Sequence, residues 1–229
     1  MSGAGERPLV VVPVFPGSND DRDAAAALER VGAEARRVWH DEPELPEGTA
    51  AVVLPGGFSY GDYLRCGAIA RFSPIMRAVT AFAGDGGLVL GICNGFQILT
   101  EAGLLPGVLR ANESLSFVCR DVCVRVEQAD TAFTAGMQPG ERLSVPVKHG
   151  EGRYFAPDEL LDELEARGQI ALRYAPGQNP NGSVRHIAAV SNEAGNVFGL
   201  MPHPEHAVDA LTGSADGLRL LESAAGAAV

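Results

Sequence analysis

Lysine is nearly absent from this chain: Lys148 is the only one among 18 basic residues. Because Val147 precedes it, no G-x-x-x-x-G-K-[ST] phosphate loop exists, and nucleotide chemistry built on that loop is excluded. Positive charge is scarce in general. The 29 acidic residues leave a formal net charge of −11, which argues against a nucleic acid or an anionic membrane surface as partner. Long apolar runs are missing too, none approaching the ~20 residues of a membrane-crossing helix. The N-terminus lacks a basic n-region, and the apolar run Leu9 to Phe15 is broken by Pro13, so it reads as a first strand and not as a signal peptide. The four cysteines, Cys66, Cys93, Cys119 and Cys123, form neither a C-x-x-C pair nor a secreted-type framework. These absences point to a cytoplasmic protein with reduced thiols.

What is present is 46% hydrophobic content over 229 residues, enough for one large core. Residues 17–21 supply a turn, a cap and acids ahead of a helix over Ala24 to Val31, ended by Gly32. Strands are expected at Glu34 to Trp39 and Ala50 to Leu54. This β-α-β-β opening, with continuous apolar strands, predicts an α/β fold whose mostly parallel central sheet is covered on both faces. Phe58 to Ala70 is a glycine-rich loop, followed by a helix over Ile69 to Phe82. Further strands are expected at Leu88 to Ile92, around Val118 to Val126, and at Leu143 to Lys148, Ile170 to Tyr174, Val184 to Ser191 and Asn196 to Met201. Helices are expected at Asn94 to Ala102 and Pro157 to Arg167, and a final helix capped by Ser214 runs through Glu222, followed by a fraying alanine-rich tail. No repeat and no long linker divides the chain, so residues 1–229 read as a single domain.

The densest chemistry lies at Gly91-Ile92-Cys93-Asn94-Gly95, between the apolar run Leu88 to Leu90 and a helix. This is the G-x-S-x-G nucleophile elbow with sulfur in place of oxygen, and a helix N-terminus there favours a thiolate. Taken alone, the pentapeptide also fits a buried packing cysteine. A thiol nucleophile needs a base, and the base needs an orienting partner. His203-Pro204-Glu205 offers both, since residues two apart in an extended chain project to one side. His206 then points to the other side, and His40 and His186 have no partner in the sequence. His149 either lines the same cleft or ends a strand. Oxyanion donors are expected from the Asn94 N–H and from Gly56-Gly57, which alone would read as a tight turn. Cys119 and Cys123 interleave with a strand and lack further ligands, so no metal site is expected.

Taken together, the segments GGFSYGDYLRCGAIARF (Gly56 to Phe72), GICNGFQIL (Gly91 to Leu99), HGEGRY (His149 to Tyr154), NGS (Asn181 to Ser183), MPHPE (Met201 to Glu205) and GSADGL (Gly213 to Leu218) span nearly the whole chain. They resemble the class I (triad) glutamine amidotransferases, and within them the glutaminase subunits of phosphoribosylformylglycinamidine synthase. The resemblance implies a three-layer α/β/α, flavodoxin-like sandwich. It implies that Cys93 attacks the side-chain amide of glutamine, that His203 shuttles protons, and that Glu205 orients the imidazole. Gly56, Gly57 and Asn94 would line the oxyanion site and Gln97 would help recognise glutamine. No cofactor is implied on this chain. ATP and Mg would sit on a larger synthetase subunit that turns formylglycinamide ribonucleotide into formylglycinamidine ribonucleotide in de novo purine biosynthesis, with a small bridging subunit completing the complex. Two departures stand out: His206 replaces the family's usual arginine after HPE, and Gln178-Asn179-Pro180 varies within its loop. A class I amidotransferase serving another synthase, or a non-hydrolytic cysteine-elbow protein that binds a metabolite or senses oxidation, are the alternatives.

Overall fold

The computed structural model describes residues 7–226. The alanine-rich tail expected to fray after Glu222 instead stays helical through Gly226, with Ala224 and Ala225 buried, and only its residues 227–229 lie outside those described. The chain opens with strand β1 (Leu9–Val14), helix α1 (Asp21–Arg30), strand β2 (Glu34–Trp39) and strand β3 (Thr49–Leu54). In β1, Val10, Val11 and Val12 are all buried, so successive side chains on both faces are covered. Helix α2 (Pro74–Gly84), strand β4 (Leu88–Ile92) and helix α3 (Asn94–Glu101) come next, then β5 (Val108–Arg110), β6 (Val118–Val126), β7 (Arg142–His149) and β8 (Arg153–Phe155). Helix α4 (Asp158–Ala166), strands β9 (Ile170–Tyr174), β10 (Ile187–Ser191) and β11 (Val197–Leu200), and helix α5 (Gly217–Gly226) complete the order.

Nine strands form one sheet in the order β2-β1-β3-β4-β11-β10-β9-β6-β7, while β5 and β8 pair as a separate antiparallel ribbon. The pairings from β2 to β11 are all parallel. From β11 onward each pairing is antiparallel, so only β10 and β6 run against the rest. The central sheet is therefore mostly parallel, in an α/β/α arrangement. Helix α1 packs on β1 and β2 and meets α5, whereas α3 packs on β3, β4 and β11. Because β1, β3, β4, β11 and β7 point the same way, the segments that follow them gather at one edge of the sheet, the edge where open α/β sheets bind ligands.

The expected helix over Ile69 to Phe82 is two elements: a 3-10 turn at Ala70–Phe72, then α2 starting at Pro74. Proline disfavours helical backbone in the residue before it, and Ser73 is extended, with φ −63° and ψ 151°. The strand expected from Val184 begins at Ile187, because Val184–His186 forms a 3-10 turn in which Arg185 takes a φ of 49°. The last helix starts at Gly217, three residues after Ser214, whose hydroxyl accepts from the Asp216 N–H at 3.0 Å.

Helix α3 reaches the sheet through a glycine. A Cβ on Gly199 of β11 would press into the Phe96 ring and come within 2.6 Å of Leu105 Cδ1. We expect Gly199→Ala to cost about 1–3 kcal/mol through overpacking, which lowers Tm by roughly 2–4 °C per kcal/mol for a chain of this size. An unchanged Tm in thermal unfolding would contradict this packing.

Candidate active site

Strand β4 ends at Ile92, and Cys93 stands between it and the first residue of α3. Its backbone sits at φ 51° and ψ −104°, a region that costs a non-glycine residue on the order of 1–3 kcal/mol. The turn is held from both ends: the Cys93 N–H donates to Leu200 O at 2.8 Å, and the Gln97 N–H to Cys93 O at 3.1 Å. The flanking glycines serve close approach. A Cβ on Gly95 would run into the Leu54 carbonyl, and one on Gly91 would meet Leu99 Cδ1 at 2.6 Å. The Cys93 thiol, 5% exposed as a residue, lies 3.9 Å from the carbonyl of Lys148 in β7.

His203 follows β11, and its N–H donates to Pro146 O of β7 at 2.9 Å. Its Nδ1 lies 2.6 Å from Glu205 Oε1, and both side chains are almost fully buried. That contact assigns Nδ1 the proton it shares with Glu205. His203 Nε2 is buried without a hydrogen-bond partner among the described residues, and Cys93 is a neighbouring group that stabilises its charged form. Burial alone would lower the His203 pKa, but Glu205 and then Cys93 outweigh it, and the imidazole is raised to about 10. Glu205 is thus placed to orient the ring and to support the imidazolium.

One expectation is corrected. His206 does not point away from the site: its Nε2 is 3.5 Å from Glu205 Oε1, and its ring centroid is 5.5 Å from that of His203. The segment is not extended beyond His203, since Pro204–His206 forms a 3-10 turn, and side chains three apart in such a turn fall on one side. His206 Nε2 also lies 3.3 Å from Asp20 Oδ1 and 2.9 Å from Lys148 Nζ. Asp20, His203, Glu205 and His206 offer atoms within 4.8 Å of one another, a spacing that would suit a cation. The Lys148 ammonium, 2.5 Å from Asp20 Oδ1, supplies that positive charge.

Beside the thiol is a cavity of about 200 Å³, small against the roughly 300–1,000 Å³ of sites for drug-sized ligands. Gly57, Cys93, Gln97 and His149 line it, along with Asp62, Cys66 and Glu151. Gln97 is tied down at both ends of its amide: Nε2 donates to Glu151 O at 2.5 Å, and Oε1 accepts from Asn94 Nδ2 at 2.8 Å. Asn94 Oδ1 accepts from the Ser59 N–H at 3.1 Å, which pins the 58–62 loop to the elbow. The Asn94 N–H opens α3, where backbone donors lack helical partners. Gly57 holds φ +144°, and a Cβ there would crowd the Asn19 nitrogen at 2.6 Å, so only glycine fits. Gly56 serves space: a Cβ would meet the Asp20 carboxylate and His203 Cε1, the latter at 2.7 Å. Burial, then Asp62 and Glu151, push the Cys66 thiol far up, so it stays protonated.

His149, open between two readings in sequence, lines this cavity. Asn181 Oδ1 accepts from the Ser183 N–H at 3.0 Å, which leaves Nδ2 to donate to His149 Nε2 at 2.9 Å. The His149 proton is therefore on Nδ1, which is buried and has no partner among the described residues. Burial first, and the charge of His203 second, lower its pKa to about 3, so it is neutral at pH 7. Sequence reasoning does not reach Asp20 and Lys148, for which the solitary lysine is the one available signal.

The two buried histidines carry opposite pH signatures. His203 has a folded pKa of about 10 against 6.5 unperturbed, so its contribution is full below pH 6.5 and is lost as pH rises toward 10. His149, at about 3, contributes fully above pH 6.5 and loses that contribution as pH falls toward 3. In unfolding curves taken across this range, we expect His203→Asn to flatten the alkaline decline relative to wild type and His149→Asn to flatten the acid one. Unchanged slopes in both variants would contradict the assignment.

Comparison with known proteins agrees with the geometry. The CobB/CobQ-like glutamine amidotransferase domain matches residues 7–217. A phosphoribosylformylglycinamidine synthase subunit PurQ from Rubrobacter xylanophilus is 59% identical over 93% of this chain and 96% of the relative. A protein of the same name from Salinibacter ruber is 56% identical over 93% of each. Among solved structures, PurLQS from Thermotoga maritima aligns with a TM-score of 0.88 at 46% identity, covering 96% of this chain and 98% of that one. With identity this high over nearly its full length, the chain belongs to the PurQ family of phosphoribosylformylglycinamidine synthase subunits, within the glutamine amidotransferases.

Proposed function

We propose that this chain is the glutaminase subunit of a phosphoribosylformylglycinamidine synthase and that Cys93, His203 and Glu205 carry out the hydrolysis. The observation that carries the reading is the buried 2.6 Å contact between His203 Nδ1 and Glu205 Oε1, with Nε2 left free beside a strained cysteine. The thiol proton rests on His203 Nε2, and the Cys93 sulfur attacks the amide carbon of glutamine. The Gly57 and Asn94 N–H groups hold the oxyanion. Collapse breaks the C–N bond, and the His203 proton leaves with the nitrogen as ammonia. Water then attacks the γ-glutamyl thioester, His203 takes up its proton, the C–S bond breaks, and glutamate departs. The sum is glutamine and water to glutamate and ammonia. Glu205 keeps the imidazole in the tautomer that makes both transfers possible.

Around this chemistry, Gly56 gives His203 room, and Gln97 fixes the wall of the cavity that takes the glutamine side chain. Residues 1–229 act as a single amidotransferase type 1 domain in the cytoplasm; among the described residues no helix is long and apolar enough to cross a membrane. The chain needs no cofactor of its own. Ammonia passes to a larger synthetase subunit, which binds ATP and Mg and converts formylglycinamide ribonucleotide to formylglycinamidine ribonucleotide, and a small bridging subunit completes the assembly. Family membership supports the synthetase partner. The lack of a phosphate loop on this chain accords with ATP being handled elsewhere.

The test is glutamate release by the assembled synthase. We expect Cys93→Ala to abolish it and His203→Ala to slow it by about 10²–10⁴-fold, the range for a lost general acid–base. Product formation from added ammonium should survive both changes. Wild-type complex that releases no glutamate would overturn the reading.

A further inference from the structure

The triad does not use Asp20, Lys148 or His206, yet all three side chains converge behind it. Asp20 lies in the loop between β1 and α1, and its N–H donates to Gly56 O at 3.2 Å. Its carboxylate is 4% exposed and spans two neighbours. Oδ2 lies 3.7 Å from His203 Nδ1, and Oδ1 lies 2.5 Å from Lys148 Nζ. A second buried carboxylate therefore faces the imidazole already held by Glu205. Left uncompensated, two carboxylates would bind the His203 proton too firmly for a group that must accept and release it in every turnover.

Lys148 removes that imbalance. His206 Nε2 lies 2.9 Å from the Lys148 ammonium and 3.3 Å from Asp20 Oδ1, so it touches both members of the pair. His206 thus packs against the Lys148–Asp20 pair and holds the ammonium beside the carboxylate. Asp20 is kept well below the usual carboxylate range: burial opposes this, but His206, Lys148 and His203 outweigh it.

We infer that Lys148, acting through Asp20 and steadied by His206, is a positioning residue that balances the charge around His203 and so sets the pH range of glutamine hydrolysis. The inference rests on the role of His203 given above. The groups facing His203 are Glu205 and His206 from its own segment, Cys93 from the elbow, Asp20 from the β1–α1 loop and His149 from the end of β7, while Lys148 reaches it through Asp20. Asp20 and Lys148 form the one pair among them that opposes charges without joining the proton transfers.

The test is the pH dependence of kcat for glutamate release by the assembled synthase, in which the acid limb reports the coupled Cys93–His203 pair. Lys148→Met leaves Asp20 unopposed and should move the acid limb to higher pH by about one unit, the lower end for a charge a few ångströms away. Asp20→Asn, close in shape, should move it to lower pH. Lys148→Met combined with Asp20→Asn should return it near wild type, as should Lys148→Arg, which keeps the charge. A merely structural role would reduce kcat without moving the limb. Limbs that stay in place, or that move in the same direction in both single variants, would overturn the inference while leaving wild-type glutaminase activity intact. Absence of wild-type activity would instead strike at the function itself.

Discussion

A single strained residue governs how this chain is built. Cys93 is held at φ 51° and ψ −104° at the end of a buried central strand, and the surrounding packing has to offset that strain. The offsets are local and identifiable. Gly95 lets α3 approach the Leu54 backbone, Gly91 leaves room for Leu99, and the bond from the Cys93 N–H to Leu200 O ties the turn to β11. The same bond fixes how far β11 runs beside β4, and hence where His203 emerges. The position of the base is thus a consequence of the turn that exposes the nucleophile.

Electrostatics supplies the second constraint. Two histidines, His149 and His203, and two carboxylates, Asp20 and Glu205, are buried at this site, a costly arrangement unless each charge has a partner. Glu205 answers His203, and Lys148 answers Asp20. His149 takes the other course, remaining neutral with its tautomer set by Asn181. The catalytic imidazole is therefore surrounded by paired charges and a neutral histidine, and the protons of the reaction move between it, Cys93 and the substrate.

Much of this was legible in the sequence, for physical reasons. The elbow announced itself because glycines two residues either side of a cysteine answer a local steric need, and His203 and Glu205 are near neighbours in the chain. Parallel strands were readable as unbroken apolar runs. What escaped depends on separation or on backbone detail. Asp20 and Lys148 are 128 residues apart, and only the sheet order brings them together. An extended backbone after His203 would put His206 on the other side, but the 3-10 turn at Pro204–His206 brings it round to the site. The ribbon of β5 and β8 has three residues per strand, too few for a periodic pattern to stand out.

The central claim is that Cys93 becomes covalently bonded to substrate while His203 moves the protons. The most direct measurement is peptide mass spectrometry of the assembled synthase, acid-quenched during glutamine turnover. We expect a γ-glutamyl thioester on the peptide that contains Cys93, absent from Cys93→Ala. Turnover with no such adduct, or an adduct confined to Cys66, Cys119 or Cys123, would contradict the account.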